Sequence, residues 1–158
     1  MALIVCIIGT TGSGKSFTVE HGFPHPLWIR GTPGKMIRSS VGMYHAAEEM
    51  NPNRFDLTED LVRDYVYRLV QVADKVRRPV VLDGFPRDKQ QADWFFSMFA
   101  EHEVMVFSIK PAREVKFVHG TDEHRRHECS VKDVSDVMYT AVERRILVKE
   151  FKTPWIDY

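Results

Sequence analysis

The sequence predicts an α/β fold with a parallel sheet, and two observations carry this prediction. Short apolar runs rich in β-branched residues alternate with longer segments of helical periodicity along the 158 residues. The first run, "LIVCII" at 3–8, leads into a glycine-rich turn that a helix-like segment follows. Apolar runs without polar alternation are typical of strands covered on both faces, so we expect helices on both sides of the sheet.

Four segments are expected to form strands. The strongest are "LIVCII" (3–8), "PVVLD" (79–83) and "EVMVFSI" (103–109), and "PLWI" (26–29) is a weaker fourth. Glycine-containing turns follow the first two runs, as is typical of strand ends.

Three segments, 57–76, 89–102 and 130–151, are predicted to be helices. The first places its apolar residues on one helical stripe, and Thr58 followed by two acidic residues suits a helix start. The second contains the aromatic run "ADWFFSMF". We interpret this run as core rather than as a ligand or partner surface, because aromatic side chains dominate core burial.

Length and composition indicate a single domain over 1–158, long enough to bury one sizeable core. The 22 Lys and Arg balance the 22 Asp and Glu, so no net field favours nucleic acid or an anionic membrane. The cysteines at 6 and 129 lie in dissimilar surroundings, which favours a reducing, cytoplasmic compartment. The apolar run at 2–8 is too short for a membrane helix, and no basic region precedes it.

The segment "GTTGSGKS" (9–16) fits the phosphate-loop pattern G-x-x-x-x-G-K-[ST] between a strand and a helix. Glycines let consecutive N–H groups turn inward around a phosphate, the lysine reaches the terminal phosphates, and the serine hydroxyl ligates Mg²⁺. A plain glycine turn with an exposed lysine is the alternative. The predicted ATP contacts are Gly9, Thr11, Gly12, Ser13, Gly14, Lys15, Ser16 and Phe17.

A second motif, "DGFPR" (83–87), follows the predicted strand at 79–83. Asp83 suits the acidic position that P-loop enzymes place beside the metal, so Ser16 and Asp83 are the predicted Mg²⁺ site. Arg87 is a suitable clamp for a second phosphate, because its planar fork binds two oxygens at once. Gln91 offers a donor and an acceptor with which to read a base edge.

The two motifs together resemble those of the adenylate kinase family of nucleoside monophosphate kinases. Weaker similarities to the family extend over most of the chain, at "HGFPH" (21–25), "TPGKMIR" (32–38), "FDLTEDLV" (55–62) and "RILVKEFKTPWIDY" (145–158). The resemblance implies a three-layer P-loop kinase fold with a parallel sheet flanked by helices. It also implies ATP and Mg²⁺ as cofactors and a small nucleotide as the substrate.

The resemblance further assigns roles to individual residues. The segment 31–62 would bind the monophosphate, with Arg38, Gly84, Arg87 and Gln91 as substrate contacts. The segment 145–158 is similar to the family's final helix and its exit, which makes Arg144, just before it, a transition-state arginine. Lys15 and Arg87 would act with it in catalysis.

Several positions depart from the family pattern. Pro33 stands where the family usually has threonine and Lys35 where it has aspartate, so the acceptor base is open. The arginine-rich lid is replaced by a short polar segment at 119–133, in which Arg125 or Arg126 would cover the donor phosphates. Only "WIDY" (155–158) is placed to begin the family's fifth strand, so we expect four or five strands.

The polar segment also contains His124, His127 and Cys129 in an H-x-x-H-x-C pattern. Imidazole and thiolate are zinc ligands, and some members of the resembled family carry a zinc-bound lid. The cysteine pairs of such lids are absent from this sequence. We therefore favour a solvated segment whose histidines supplement the arginines near phosphate, with zinc as the alternative.

The leading functional hypothesis is a cytoplasmic kinase, monomeric or a small homo-oligomer, that transfers the γ-phosphate of ATP to a nucleoside or deoxynucleoside monophosphate. A second hypothesis is a P-loop kinase whose acceptor is a hydroxyl on a modified base, nucleoside or nucleic-acid end. Such an acceptor requires a base, Asp83 or another carboxylate near the cleft. A third hypothesis is a nucleotide-binding module without turnover, against which the complete Lys15, Ser16 and Asp83 set argues.

Overall fold

The computed structural model describes residues 1–10, 12–39, 54–111 and 116–152, with the backbone alone for 38–39 and 54–58. In these residues a five-stranded, all-parallel sheet is flanked by helices. The structure therefore confirms the predicted α/β class and the parallel sheet. Of the four or five strands expected, five are present among these residues.

The strands are β1 (Leu3–Gly9), β2 (Ile29–Gly31), β3 (Val80–Asp83), β4 (Glu103–Lys110) and β5 (Leu147–Lys152). The helices within the described ranges are α1 (Lys15–Gly22), α2 (Pro33–Ser39), α3 (Arg54–Val76), α4 (Lys89–Met98) and α5 (Asp122–Glu143). No helix of this part of the chain is long and apolar enough to cross a membrane.

The spatial order of the strands is β2-β3-β1-β4-β5. The chain leaves β1 toward β2 and leaves β4 toward β5, in opposite directions across the sheet. Ligands of open α/β sheets bind outside the carboxyl ends of the strands at such a reversal. The residue pairs Ile7–Asp83 and Gly9–Ile109 lie side by side at this edge.

Side chains of β1 alternate between two apolar clusters. Ile4, Cys6 and Ile8 are buried with residues of α3, α4 and α5, whereas Val5 and Ile7 are buried on the other face with Val19 of α1. The predicted cover on both faces of this strand is therefore confirmed. The central position of β1 fixes where its carboxyl end, and the loop that follows, emerge.

Helices α3 and α4 form at the predicted places with shifted ends. The stripe of α3 includes Val62, Val66 and Val70, which are buried, and each fully buried valine contributes about 1.5 kcal/mol or more. The aromatic run of α4 is core as predicted, with Phe95 and Phe99 inside the larger cluster. Helix α4 ends at Met98 rather than at residue 102, and a turn leads from there into β4.

The predicted strand at 26–29 is wrong, because β2 occupies Ile29–Gly31 instead. The backbone N–H of Trp28 donates to the carbonyl of Pro24 at 3.1 Å and closes a turn over the two prolines. Pro26 has no N–H to contribute to a strand, and Leu27 in the same turn is 67% exposed. The strand therefore begins only after the turn.

The predicted helix at 130–151 is wrong at both ends, because α5 spans Asp122–Glu143. Thr121 caps its start by accepting a hydrogen bond from the N–H of His124 at 3.2 Å. Its end is a Schellman motif, in which Ile146 N–H donates to the Ala141 carbonyl at 2.9 Å and Arg145 adopts a left-handed φ of 59°. The first part of the polar segment 119–133 is thus a turn, and from residue 122 it is helical.

The chain beyond this cap forms β5 rather than the end of a helix. Ile146 and Val148, which fit the helical stripe in the sequence, do pack against the core, but β5 itself includes Val148 and pairs with β4 along six residues. The fifth strand is therefore Leu147–Lys152, and the segment "WIDY" expected to begin it lies outside the described residues.

Candidate functional site

A cleft of about 320 Å³ opens at the carboxyl edge of the sheet. Its walls come from the glycine-rich loop after β1, the turn after β3, the start of α2 and the middle of α5. The charged or metal-ligating side chains that line it are Lys15, Ser16, Lys35, Asp83, Arg87 and Asp133. Both sequence motifs therefore meet in one cleft.

Close backbone packing shapes the glycine-rich loop. A Cβ added to Gly9 would lie 2.4 Å from Ser13 Oγ and 2.6 Å from the carbonyl oxygen of Ile109, so this position has no room for a side chain. Gly14 precedes α1 with a φ of 94°, and no side chain among the described residues caps that helix. The loop thus brings the N-terminal end of α1, with its partial positive charge, to the cleft.

Lys15 is held over this loop. Its Nζ donates hydrogen bonds to the carbonyls of Gly9 at 3.0 Å and Thr10 at 3.1 Å. Burial lowers the pKa of Lys15, the charge of Asp83 raises it, and that of Arg87 lowers it again. A partly desolvated ammonium of this kind interacts more strongly with an anion than one in bulk water does.

Ser16 and Asp83 join the loop to the end of β3. The hydroxyl of Ser16 donates to Asp83 Oδ2 at 2.9 Å. Gly84 follows, and its N–H donates to the carbonyl of Ile7 at 2.8 Å, which ties the turn to β1. A hydroxyl and a carboxylate oxygen in contact are hard oxygen donors suited to Mg²⁺, so the two predicted metal ligands fit that ion.

The turn that carries Arg87 is fixed by Gln91. The N–H of Arg87 donates to Gln91 Oε1 at 2.9 Å, and Gln91 Nε2 donates to Glu59 Oε1 at 2.8 Å. Asp88 caps α4 by accepting from the N–H of Gln91 at 2.8 Å. Gln91 is only 5% exposed and does not line the cleft, so within the described residues it supports the Arg87 turn.

Helix α5 supplies a wall of the cleft from the end of the predicted lid segment 119–133, through residues that the sequence did not single out. Ser130, Asp133 and Val134 line the cleft together with residues of the turn after β3. The charge of Arg87 acts on Asp133, which places the two within electrostatic range. The helical stripe around Val134 and Val137 was a signal for packing, but it did not indicate that Asp133 would line the cleft.

Three predicted arginines are not among the residues that line the cleft. Arg144 lies at the C-terminal end of α5, about 16 Å along the helix axis from Asp133, and donates to Ser97 Oγ at 2.8 Å. It also pairs with Asp93 at 3.2 Å. Arg125 pairs with Asp122 in the first turn of α5.

The remaining predicted contacts have other positions. Arg126 is exposed on α5, and Phe17 stacks on His21 with ring centroids 3.9 Å apart. Ser13 is fully buried beneath the loop. Thr11 and the side chain of Arg38 lie outside the described residues, so their predicted contacts stay predictions.

A second cavity, of about 440 Å³, lies beside the start of the loop. It reaches from Gly9 and Thr10 to the end of β4, and α5 covers it with Val131, Val134 and Met138. Gly9 and Val134 also line the first cleft, so the two cavities adjoin at these residues.

The histidines near the start of α5 have protein partners. His127 stacks on Phe117 with centroids 4.6 Å apart, and His124 pairs with Glu128 at 3.3 Å. No group of three or more His, Cys, Asp or Glu side chains in the described ranges is arranged to hold a metal ion. The zinc alternative gains no support from this part of the chain.

A scan against protein-family models and a search of curated proteins find no match to this chain. The adenylate kinase resemblance therefore rests on the motifs and on the cleft in which they meet.

Proposed function

We propose that this protein is a P-loop phosphotransferase that moves the γ-phosphate of ATP to a nucleoside or deoxynucleoside monophosphate. One observation carries the proposal: a single cleft is lined by the phosphate loop with Lys15, by the Ser16–Asp83 pair and by Arg87. Phosphoryl transfer requires a donor and an acceptor phosphate to be held in line with their charge neutralised. A cleft with two separate sets of anion-binding groups suits this requirement.

The loop and α1 form the donor half. Lys15 exchanges its hydrogen bonds to the Gly9 and Thr10 carbonyls for the terminal phosphate oxygens of ATP. Ser16 and Asp83 would hold Mg²⁺, which would supply positive charge to offset that of the phosphates. The adjoining cavity beside Gly9 has both apolar and polar residues in its walls, and its volume gives room for the donor nucleoside.

Arg87 is the centre of the acceptor half. Its guanidinium is exposed to the cleft, while its backbone is fixed by Gln91, so the side chain is available to a phosphate without loss of the turn. Lys35 at the start of α2 adds a second positive charge to the same cleft. An acceptor that is itself a phosphate requires no strong general base, because its attacking oxygen is already ionised near neutral pH.

A second candidate, transfer to a hydroxyl, is favoured by Asp133. This carboxylate faces the cleft and is a candidate proton acceptor for a hydroxyl nucleophile. The monophosphate remains the better candidate, because Arg87 and Lys35 provide two cations that a neutral hydroxyl does not need.

The proposal is tested by ADP release from Mg²⁺–ATP in the presence of nucleoside monophosphates, nucleosides or oligonucleotides, supplied separately. We expect ADP release that depends on at least one monophosphate. Release with a nucleoside or oligonucleotide alone would transfer support to the second candidate. ATP binding without release on any acceptor would support a module without turnover.

A further inference from the structure

Asp133 is placed at the cleft by the packing of α5. Residues four apart lie on the same face of a helix, and Val137, one turn after Asp133, is fully buried in the core. The face of α5 that packs on the sheet therefore continues past the carboxyl ends of the strands. There the face carries Ser130 and Asp133 instead of apolar residues. The position of Asp133 is thus fixed by the fold.

Asp133 is half-buried and has no hydrogen bond or ion pair with another residue of the described ranges. Partial burial raises the pKa of its carboxyl, and the charges of Asp88 and Asp136 act in the same direction. Lys132 on its own helix and Arg87 across the cleft act in the opposite direction. The raising contributions are larger, so its ionised form is disfavoured relative to an aspartate in water.

Two of the other charged groups of the cleft, Asp83 and Lys15, make hydrogen bonds within the protein. Asp83 accepts a hydrogen bond from Ser16, and Lys15 donates to loop carbonyls. Lys35 lines the cleft from α2. Among the described charged groups that line the cleft, Arg87 is the one that acts on the pKa of Asp133, and it lowers that pKa.

We propose that Asp133 is an acceptor-selectivity residue, a carboxylate that opposes Arg87 in the acceptor half of the cleft, so that a phosphorylated acceptor binds together with one proton. The proton comes from solvent and resides on the Asp133 carboxyl in the complex. This inference rests on the proposed function, because it assumes that the group bound by Arg87 is a phosphate.

The sign of the effect follows from like-charge repulsion. A bound phosphate dianion disfavours the ionised carboxylate, so the pKa of Asp133 is higher in the complex than in the free protein. Acceptor affinity is then fully developed below the free-protein pKa and falls, by up to tenfold per pH unit, until the pH reaches the pKa in the complex. Replacement of Asp133 by the neutral isostere asparagine removes this fall of acceptor affinity with rising pH.

The test is calorimetric binding of nucleoside monophosphates (AMP, GMP, CMP, UMP and dTMP) to wild type and to Asp133→Asn, without ATP or Mg²⁺. Titrations in two buffers of different ionisation enthalpy measure the protons taken up. We expect wild type to take up more protons on monophosphate binding than Asp133→Asn does. At pH 8 the variant should bind the monophosphate about three- to thirtyfold more tightly than wild type. Asp136→Asn is the matched control, because Asp136 is on the same helix and does not line the cleft.

Equal proton uptake and equal affinity in wild type and Asp133→Asn would overturn the inference while leaving the proposed function intact. Loss of ADP release by more than a hundredfold in Asp133→Asn with a nucleoside or oligonucleotide acceptor would also overturn it and would assign Asp133 as a proton acceptor. If no monophosphate binds or supports ADP release, the proposed function fails and the inference fails with it. A change of similar size in Asp136→Asn would show a general effect of charge on α5 and would contradict a specific role for Asp133.

Discussion

The two sides of the cleft are built in different ways. On the donor side, Lys15 and Ser16 make hydrogen bonds of 2.9–3.1 Å to Gly9, Thr10 and Asp83. On the acceptor side, Arg87 and Asp133 come from the β3–α4 turn and from α5, and no hydrogen bond or ion pair between their side chains is present in the described residues.

This difference has a functional consequence. A side whose groups are already held together is preorganised, so the loss of one group removes most of the stabilisation of the transferred charge. A side whose charges are not joined by hydrogen bonds is open to adjustment, because a substitution there changes affinity without breaking a hydrogen-bonded network. We therefore expect donor-side changes to abolish transfer and acceptor-side changes to shift the preferred acceptor and pH.

The largest effect is expected for Lys15→Ala on the donor side. Loss of a half-buried cation that neutralises the transferred phosphate should lower kcat by on the order of 10³-fold. The measurement is the steady-state rate of ADP release at saturating acceptor. Lys89→Ala is the control, because Lys89 is exposed and pairs with Asp93 on α4 outside the cleft. Similar activity of Lys15→Ala and Lys89→Ala would contradict the role of the loop.

Arg87→Ala tests the acceptor side. A hydrogen bond to a charged group contributes about 1.5–3 kcal/mol, so the acceptor KM should rise by about ten- to a hundredfold while ATP affinity stays the same. Initial rates over a grid of ATP and monophosphate concentrations separate the two constants. Arg68→Ala, an exposed arginine of α3 paired with Asp64, serves as control. Equal weakening of ATP and acceptor binding would remove the distinction between the two sides.

Gly9→Ala tests how tightly the donor side is packed. Its Cβ would approach the backbone carbonyl of Ile109 to 2.6 Å, so β1 or β4 must shift, and we expect a loss of stability of about 1–3 kcal/mol. Urea unfolding measures the change. Gly22→Ala is the matched control, since nothing lies within 4 Å of its added Cβ. Equal stability of the two variants would mean that the loop tolerates a side chain at residue 9.

The smallest effect is expected away from the cleft, on the stability contributed by Asp74. Its carboxylate accepts a hydrogen bond from the N–H of Ala2 at 2.6 Å and contacts His102 Nε2 at 2.9 Å. The contact with His102 is the main cause that holds the pKa of Asp74 below its usual value. A lowered folded pKa stabilises the protein above the unfolded pKa of about 3.9, and this stabilisation is lost as the pH falls through the folded pKa.

Because the Asp74 side chain is 36% exposed, we expect Asp74→Asn to cost less than about 1 kcal/mol at pH 7. The difference from wild type should vanish in acid, below the folded pKa, and urea unfolding at both pH values measures it. Asp64→Asn, at an exposed helical pair with Arg68, is the control. A difference that persists undiminished in acid would exclude ionisation of Asp74 as its source.

That Lys15, Ser16 and Asp83 come together could be predicted from the sequence, because they belong to short, local motifs at the ends of two strands. Gly9 to Ser16 are contiguous, and Asp83 directly ends a strand whose apolar run is unmistakable. Asp133 could not be predicted, because its position depends on which way α5 faces and how far it projects beyond the sheet.

The errors in secondary structure have a similar origin. The end of α5 is set by Arg145 in a left-handed conformation, where glycine is the usual sequence signal, so the helical pattern appeared to continue to residue 151. Beyond that cap, Val148 packs against the core as predicted, but from β5. The periodicity identified apolar residues that pack against the core. It did not identify whether a helix or a strand carries them.

The central claim is that the cleft holds a donor and an acceptor phosphate together, and transfer of labelled phosphate tests it most directly. ATP labelled at the γ-phosphate is incubated with Mg²⁺, the protein and one nucleoside monophosphate, and the products are separated. We predict label in the corresponding nucleoside diphosphate, with this product lost in Lys15→Ala and much reduced in Arg87→Ala at low acceptor concentration. Label that appears only in inorganic phosphate, or only in a nucleoside or oligonucleotide, would contradict the claim.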